Sequence, residues 1–116
     1  MTLTTILAGL LVVAFAATGF AKLAAVPAMR AKAQDVGFSV AAYRRIGLLE
    51  VLAVIGLLVG AFVPAIGALA AAGLLLLLGG AIVTHVRNGD GIREIAPAVV
   101  LELVTLTFLV LMVGRL

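Results

Sequence analysis

Apolar residues occupy the chain in long unbroken runs, and polar positions fall between the runs or at isolated points inside them. From Met1 to Ala21 no side chain is charged; the first charge is Lys22. A helix needs about 20 apolar residues to cross a hydrocarbon layer of roughly 30 Å, so residues 3–23 are predicted to form a first span. A cleavable leader would carry a basic segment before its apolar stretch, and Met1-Thr2-Leu3-Thr4-Thr5 has none. Between Ala25 and Ser39 the pattern changes. Pro27 suits a first helical turn and Gly37 a helix end. Met29, Ala33 and Val36 recur at helical spacing, while Arg30, Lys32, Gln34 and Asp35 take the other side. The prediction there is a short amphipathic helix lying on the membrane surface.

Ser39 is placed to cap a second span over residues 40–62, with Tyr43, Arg44 and Arg45 at headgroup depth. Val63-Pro64 returns the chain into a third span over 65–86. Arg87-Asn88-Gly89-Asp90-Gly91 is a polar turn, and Pro97 is expected to open a fourth span over 97–114. The predicted fold is therefore an all-α membrane protein with one domain over 1–116. It is a four-transmembrane-helix bundle with a short interfacial helix between its first two spans.

Composition agrees. Of 116 residues, 66% are hydrophobic and 11% charged, with a mean hydropathy of +1.40, whereas a soluble domain is about half apolar. With no Cys and one His, disulfide scaffolds, CxxC redox chemistry, thiolate zinc and a multi-histidine metal site within one chain are excluded. The pI near 10.2 does not indicate nucleic acid, because no basic stripe is interleaved with aromatics. Charge placement reports topology instead. Lys22, Arg30, Lys32, Arg44, Arg45, Arg87 and Arg93 lie on the face of the first and third loops, against Arg115 on the other. The excess of basic residues predicts that loops one and three are cytoplasmic and both termini outside. Gly56 and Gly60 form a GxxxG pair, and Gly73 and Gly80 lie seven apart; both are expected at seams within the bundle or between copies.

A few polar side chains sit inside the spans. Glu50 lies five residues past Arg45 and Glu102 five past Pro97, each about 7–8 Å deeper along its helix. An ionised carboxylate facing hydrocarbon costs several kcal/mol, so each must face the interior, meet a cation or carry a proton. Thr84 and His85 close the third span, and Lys22 the first. The topology then predicts that Lys22, Glu50, His85 and Glu102, one from each span, share a layer at the cytoplasmic mouth. Together with Thr84 they form a candidate polar pocket.

Two readings of this cluster stay open. One is a buried ion-pair network, for example Lys22 with Glu50, that fixes which helix faces point inward. Taken singly, Lys22 reads as a snorkelling interfacial lysine and His85 as an interfacial hydrogen-bonding residue. The other is a pocket entered from the cytoplasmic leaflet, where a Glu and a His exchange protons with a lipophilic carbonyl compound such as a quinone.

Gly19-Phe20-Ala21-Lys22-Leu23, the Pro-containing linker, Arg45-Ile46-Gly47-Leu48-Leu49-Glu50, the glycine-rich remainder of the second span, and Ala81-Ile82-Val83-Thr84-His85 resemble the DoxX-like family of small bacterial membrane proteins. The resemblance runs from about residue 5 to 112. It implies a four-helix bundle in the bacterial inner membrane, and Lys22, Glu50 and His85 match the family's recurrent polar positions. Glu102 rests on depth alone. The family takes its name from a subunit of a thiosulfate:quinone oxidoreductase, and some relatives are linked to thiol and oxidative-stress complexes. Without cysteine, a redox role here requires a quinone, another bound cofactor or a partner subunit.

Three functions are carried forward. The first is a non-enzymatic membrane subunit that anchors or regulates a partner through its basic cytoplasmic face. The second is a quinone- or lipophile-binding oxidoreductase subunit, with Glu50 and His85 on the polar head and Lys22 balancing charge. The third is a proton-coupled small-solute transporter using Glu50 and Glu102. The expected partners are the lipid bilayer, a partner subunit and a second copy through the glycine-rich faces, with no nucleic acid.

Overall fold

A computed structural model describes residues 2–116, which form five helices. They are α1 (Leu3–Leu23), α2 (Pro27–Asp35), α3 (Val40–Val59), α4 (Pro64–Arg87) and α5 (Ile92–Val113). Helices α1, α4 and α5 are long and apolar enough to cross a membrane. Helix α3 has 20 residues, about 30 Å of rise, but it carries Arg44, Arg45 and Glu50.

The four long helices pack in a ring, α1 on α3, α3 on α4, α4 on α5 and α5 back on α1, with α2 laid against α3 and α1. Leu7, Leu11 and Phe15 of α1, Val54 and Leu57 of α3, Leu74 and Leu78 of α4, and Phe108 and Met112 of α5 fill the centre. The outer surface is as apolar as the core: Val13, Leu69, Leu76 and Val110 are all exposed. A water-soluble protein does not expose apolar side chains on this scale. Hydrocarbon is the solvent that fits.

Local signals set the helix ends. Ser39 accepts a hydrogen bond from the Ala42 amide at 3.0 Å and caps α3 as expected. Helix α2 buries Ala33 and half-buries Met29, leaving Arg30, Lys32, Gln34 and Asp35 exposed, as its periodicity predicts. Two boundaries differ from expectation. The second span was expected to reach Phe62, but α3 stops at Val59 and residues 60–63 turn. The chain must double back early there, because Gly60 packs directly on Gly67 of α4. The fourth span was expected to open at Pro97, but α5 begins at Ile92 and holds Pro97 inside it. Gly91 is the N-cap and Glu94 stands in the first turn, where a negative charge complements the helix dipole. The carbonyl that Pro97 leaves without its helical amide belongs to Arg93, in that same exposed turn.

Tight approaches of backbone hold the ring together. A Cβ on Gly60 would lie 2.5 Å from the Gly67 Cα, and one on Gly56 2.8 Å from the Ala70 Cβ. The GxxxG pair is thus a seam between α3 and α4 within one chain. Gly73 and Gly80 have open space beside them.

Candidate functional site

Near the cytoplasmic mouth expected from the sequence, α1 and α3 come closest where Gly19 meets Gly47. A Cβ on Gly47 would stand 2.7 Å from the Gly19 carbonyl oxygen, the Leu23 amide nitrogen and the Lys22 Cβ. Only glycine fits such an approach. The helices therefore lie close enough for short polar side chains to meet across the seam.

Glu50 occupies that place. It is 5% exposed, and both its carboxylate oxygens are taken by α1. Lys22 Nζ donates to Oε1 at 2.6 Å and the Thr18 hydroxyl faces Oε2 at 3.0 Å. Thr18 has a single proton and also lies 3.2 Å from the Ala14 carbonyl of its own helix, so its bond to Glu50 competes with a helical one. Lys22 is further held over the Tyr43 ring, 5.1 Å from its centroid, a cation–π contact. Lys22 and Thr18 are one turn apart on α1 and so share a face. The result is a buried ion pair with its hydrogen bonds satisfied.

The end of α1 is tied down beside this pair. Ala25 has φ +54°, and its amide and that of Val26 close on the carbonyls of Lys22 and Ala21. This is a Schellman turn with Ala in the left-handed position where Gly is usual. Arg44 Nε donates to the Leu23 carbonyl at 2.9 Å and Arg30 Nε to the Ala25 carbonyl at 2.8 Å. The cleft between Lys22, Ala25, Met29, Arg30, Val40 and Tyr43 is too narrow to hold a water molecule.

The other candidate residues make different contacts. His85 Nδ1 lies 2.5 Å from Asp90 Oδ2, and Asn88 Nδ2 donates to Asp90 Oδ1 at 2.9 Å. These bonds close the turn from α4 to α5, with the His85 bond foremost in holding the Asp90 carboxyl below the usual carboxylate range. Thr84 bonds the Gly80 carbonyl of its own helix at 2.8 Å. Glu102 lies half-buried on α5 across from Gly79, whose Cβ would be 3.6 Å from its Oε2. Because α5 begins at Ile92, Glu102 is ten residues inside its helix, about 15 Å, deeper than its distance from Pro97 implied. Of the five pocket residues, the structure joins Lys22 to Glu50. Among the described residues no hydrogen bond or ion pair links Thr84, His85 or Glu102 to that pair. Arg45 and Arg87 are exposed at the helix ends.

Thr18, Gly19 and Gly47 escaped the sequence reading as parts of this site, though a signal existed. Thr18 stands one turn before Lys22, and each glycine stands within three residues of one member of the pair.

A helical bundle with several long apolar helices and few charged groups inside them, Lys22 and Glu50 paired and most of the others gathered at the ends, defines a multi-pass membrane protein. The model of the DoxX-like family matches residues 6–108, most of the chain, and the chain belongs to that family. No curated protein and no solved structure matches it.

Proposed function

We propose that this protein is a four-span bundle of the bacterial inner membrane that serves as a non-enzymatic subunit, anchoring or regulating a partner. The observation that carries the reading is the Glu50 carboxylate. Both its oxygens are held by Lys22 and Thr18 of the same chain, so the group best placed for proton transfer is engaged in holding α1 to α3. A satisfied buried pair of this kind fixes helix register more readily than it performs chemistry.

Helix α3 is included as a span because none of its three charges needs to sit in the hydrocarbon. Glu50 is buried and paired, and Arg44 and Arg45 lie within the first two turns, where long basic side chains snorkel to the headgroups. Its outward face is Leu48, Leu52, Ile55 and Val59, all exposed. With four spans, the excess of basic residues in loops one and three supports a cytoplasmic position for those loops, with both termini outside. The partner docks on the cytoplasmic side, where Arg87 and Arg93 stand exposed. A second copy would seat against the open Gly73 and Gly80 positions of α4.

Three measurements test this. Cysteines placed at Asp35 and Phe62, before and after α3, are expected to label from opposite sides of the membrane; labelling from the same side removes the four-span arrangement. The purified protein is expected to show no thermal shift with a quinone analogue, and to migrate on native gels within a larger complex. Arg87→Gln with Arg93→Gln should release it from that complex. A quinone-induced shift abolished by Glu50→Gln would replace this reading with the quinone-binding one.

A further inference from the structure

On the lipid-facing side of the α1–α3 seam, Leu23, Ala41, Arg44, Arg45 and Leu48 line an open groove of about 240 Å³. From this groove, and building on the reading of α3 as a span, we propose that the protein holds one anionic phospholipid, its phosphate on Arg44 and Arg45 and an acyl chain along α3.

The argument begins with spacing. Ala41, Arg44, Arg45 and Leu48 are followed by Leu52, Ile55 and Val59 at intervals of three and four, so all lie on one stripe of α3. The stripe is basic at one end and wholly apolar beyond. Leu48, Leu52, Ile55 and Val59 are exposed, and from Leu48 to Val59 the helix rises about 16 Å. One leaflet offers roughly 15 Å of hydrocarbon, half the core thickness. A head-to-tail amphiphile matches this surface in polarity and in length.

The head end is organised for an anion. Arg44 is fixed through Nε to the Leu23 carbonyl, which directs its remaining guanidinium donors without side-chain freedom to lose. Arg45 is exposed, and among the described residues neither arginine pairs with a carboxylate. The nearest acid along the helix, Glu50, is occupied by Lys22. Two guanidinium groups without counter-charge beside apolar walls call for an anionic group carrying its own apolar tail. A free phosphate satisfies the arginines and leaves the leucine stripe unused.

The test is native mass spectrometry of the purified full chain titrated with phosphatidylglycerol and, separately, phosphatidylcholine. One phosphatidylglycerol per chain is expected to stay bound, in preference to phosphatidylcholine. Arg45→Gln, which removes no bond within the chain, should weaken retention about fivefold, and Arg44→Gln/Arg45→Gln should weaken it further. Arg87→Gln/Arg93→Gln should leave it unchanged. Equal weakening by that control pair overturns the site in favour of general surface attraction, and equal retention of both lipids overturns it in favour of apolar contact blind to the headgroup. Competition by glycerol phosphate at the same concentrations overturns it in favour of a simple anion site. Protection of Leu49→Cys, exposed at the middle of α3 and outside the groove lining, from a water-soluble maleimide reports separately whether α3 lies in the membrane, so failure of the lipid site and failure of the span are distinguishable.

Discussion

Gly47 faces Gly19 across the α1–α3 seam at a distance that leaves no volume for a side chain, and the Lys22–Glu50 bond depends on that contact. Three atoms would stand 2.7 Å from a Cβ at position 47, and two of them are backbone. Moving one flexible side chain cannot relieve the clash, so the helices must separate. Gly47→Ala is expected to cost at least about 1–3 kcal/mol, the usual range for overpacking. Gly73→Ala and Gly80→Ala, with open space beside them, should be neutral or stabilising, since Ala is the better helix former. Thermal melts in one detergent check the contrast. A Gly47→Ala variant as stable as the wild type would mean that the α1–α3 seam has room for a side chain, and losses at Gly73 or Gly80 would mean that a second copy packs on them.

Removing one member of a buried pair strands the other. The general cost is about 3–5 kcal/mol, but the two partners of this pair are not equivalent. Lys22 sits one residue from the end of α1, and its long side chain can swing to the headgroups when Glu50 is gone. Glu50 is short and buried and cannot do the same. Lys22→Met is therefore expected to lower the melting midpoint more than Glu50→Gln. The double variant Lys22→Met/Glu50→Leu should recover most of the loss, because an apolar pair leaves no charge behind. A double variant no more stable than Lys22→Met would show that the ion pair itself carries the seam.

The same residues explain how far the sequence could be read. Apolar runs and the Ser39 cap are local signals, so the helices and the exposed face of α2 follow from spacing alone. Lys22 and Glu50 were legible as partners because opposite charges inside apolar runs have few alternatives. The α5 start was not, because Pro97 carries the same signal at the first turn of a helix as it does one turn later, and only the Gly91 cap decides between them. His85 was placed with the buried groups by its depth in α4. Its actual partner, Asp90, becomes accessible only when Gly89 takes φ +74° and folds the turn back. Glycine packing was the least legible: among 13 Gly, only its place three residues before Glu50 separates Gly47, which touches backbone, from Gly73, which touches nothing.

Three helices end in the same turn. After α2 and α4 the left-handed position is Gly37 and Gly89, but after α1 it is Ala25 with φ +54°. A Cβ in this region costs roughly 1–2 kcal/mol. Ala25→Gly is expected to recover part of this, about 1 kcal/mol once the added freedom of the unfolded chain is counted. The midpoint should rise while the Arg30 and Arg44 caps, which bind carbonyl oxygens, stay in place. A fall would mean that the Ala25 methyl is packed rather than strained.

The turn between α4 and α5 should carry an acid-sensitive clasp. Hydrogen bonds from His85 and Asn88 hold the Asp90 carboxyl below its ordinary value, which is about 3.9 in an unfolded chain. A group whose pKa is depressed by folding stabilises the folded state fully above the unfolded value. That contribution is lost as pH falls from near 4 through the lower folded value. Asp90→Asn removes the titrating group, so the variant should melt below the wild type at pH 6 and converge with it as pH drops below 4. A constant gap between the two melting curves from pH 6 to pH 3 would show that the bond from His85 does not depend on the charge of Asp90.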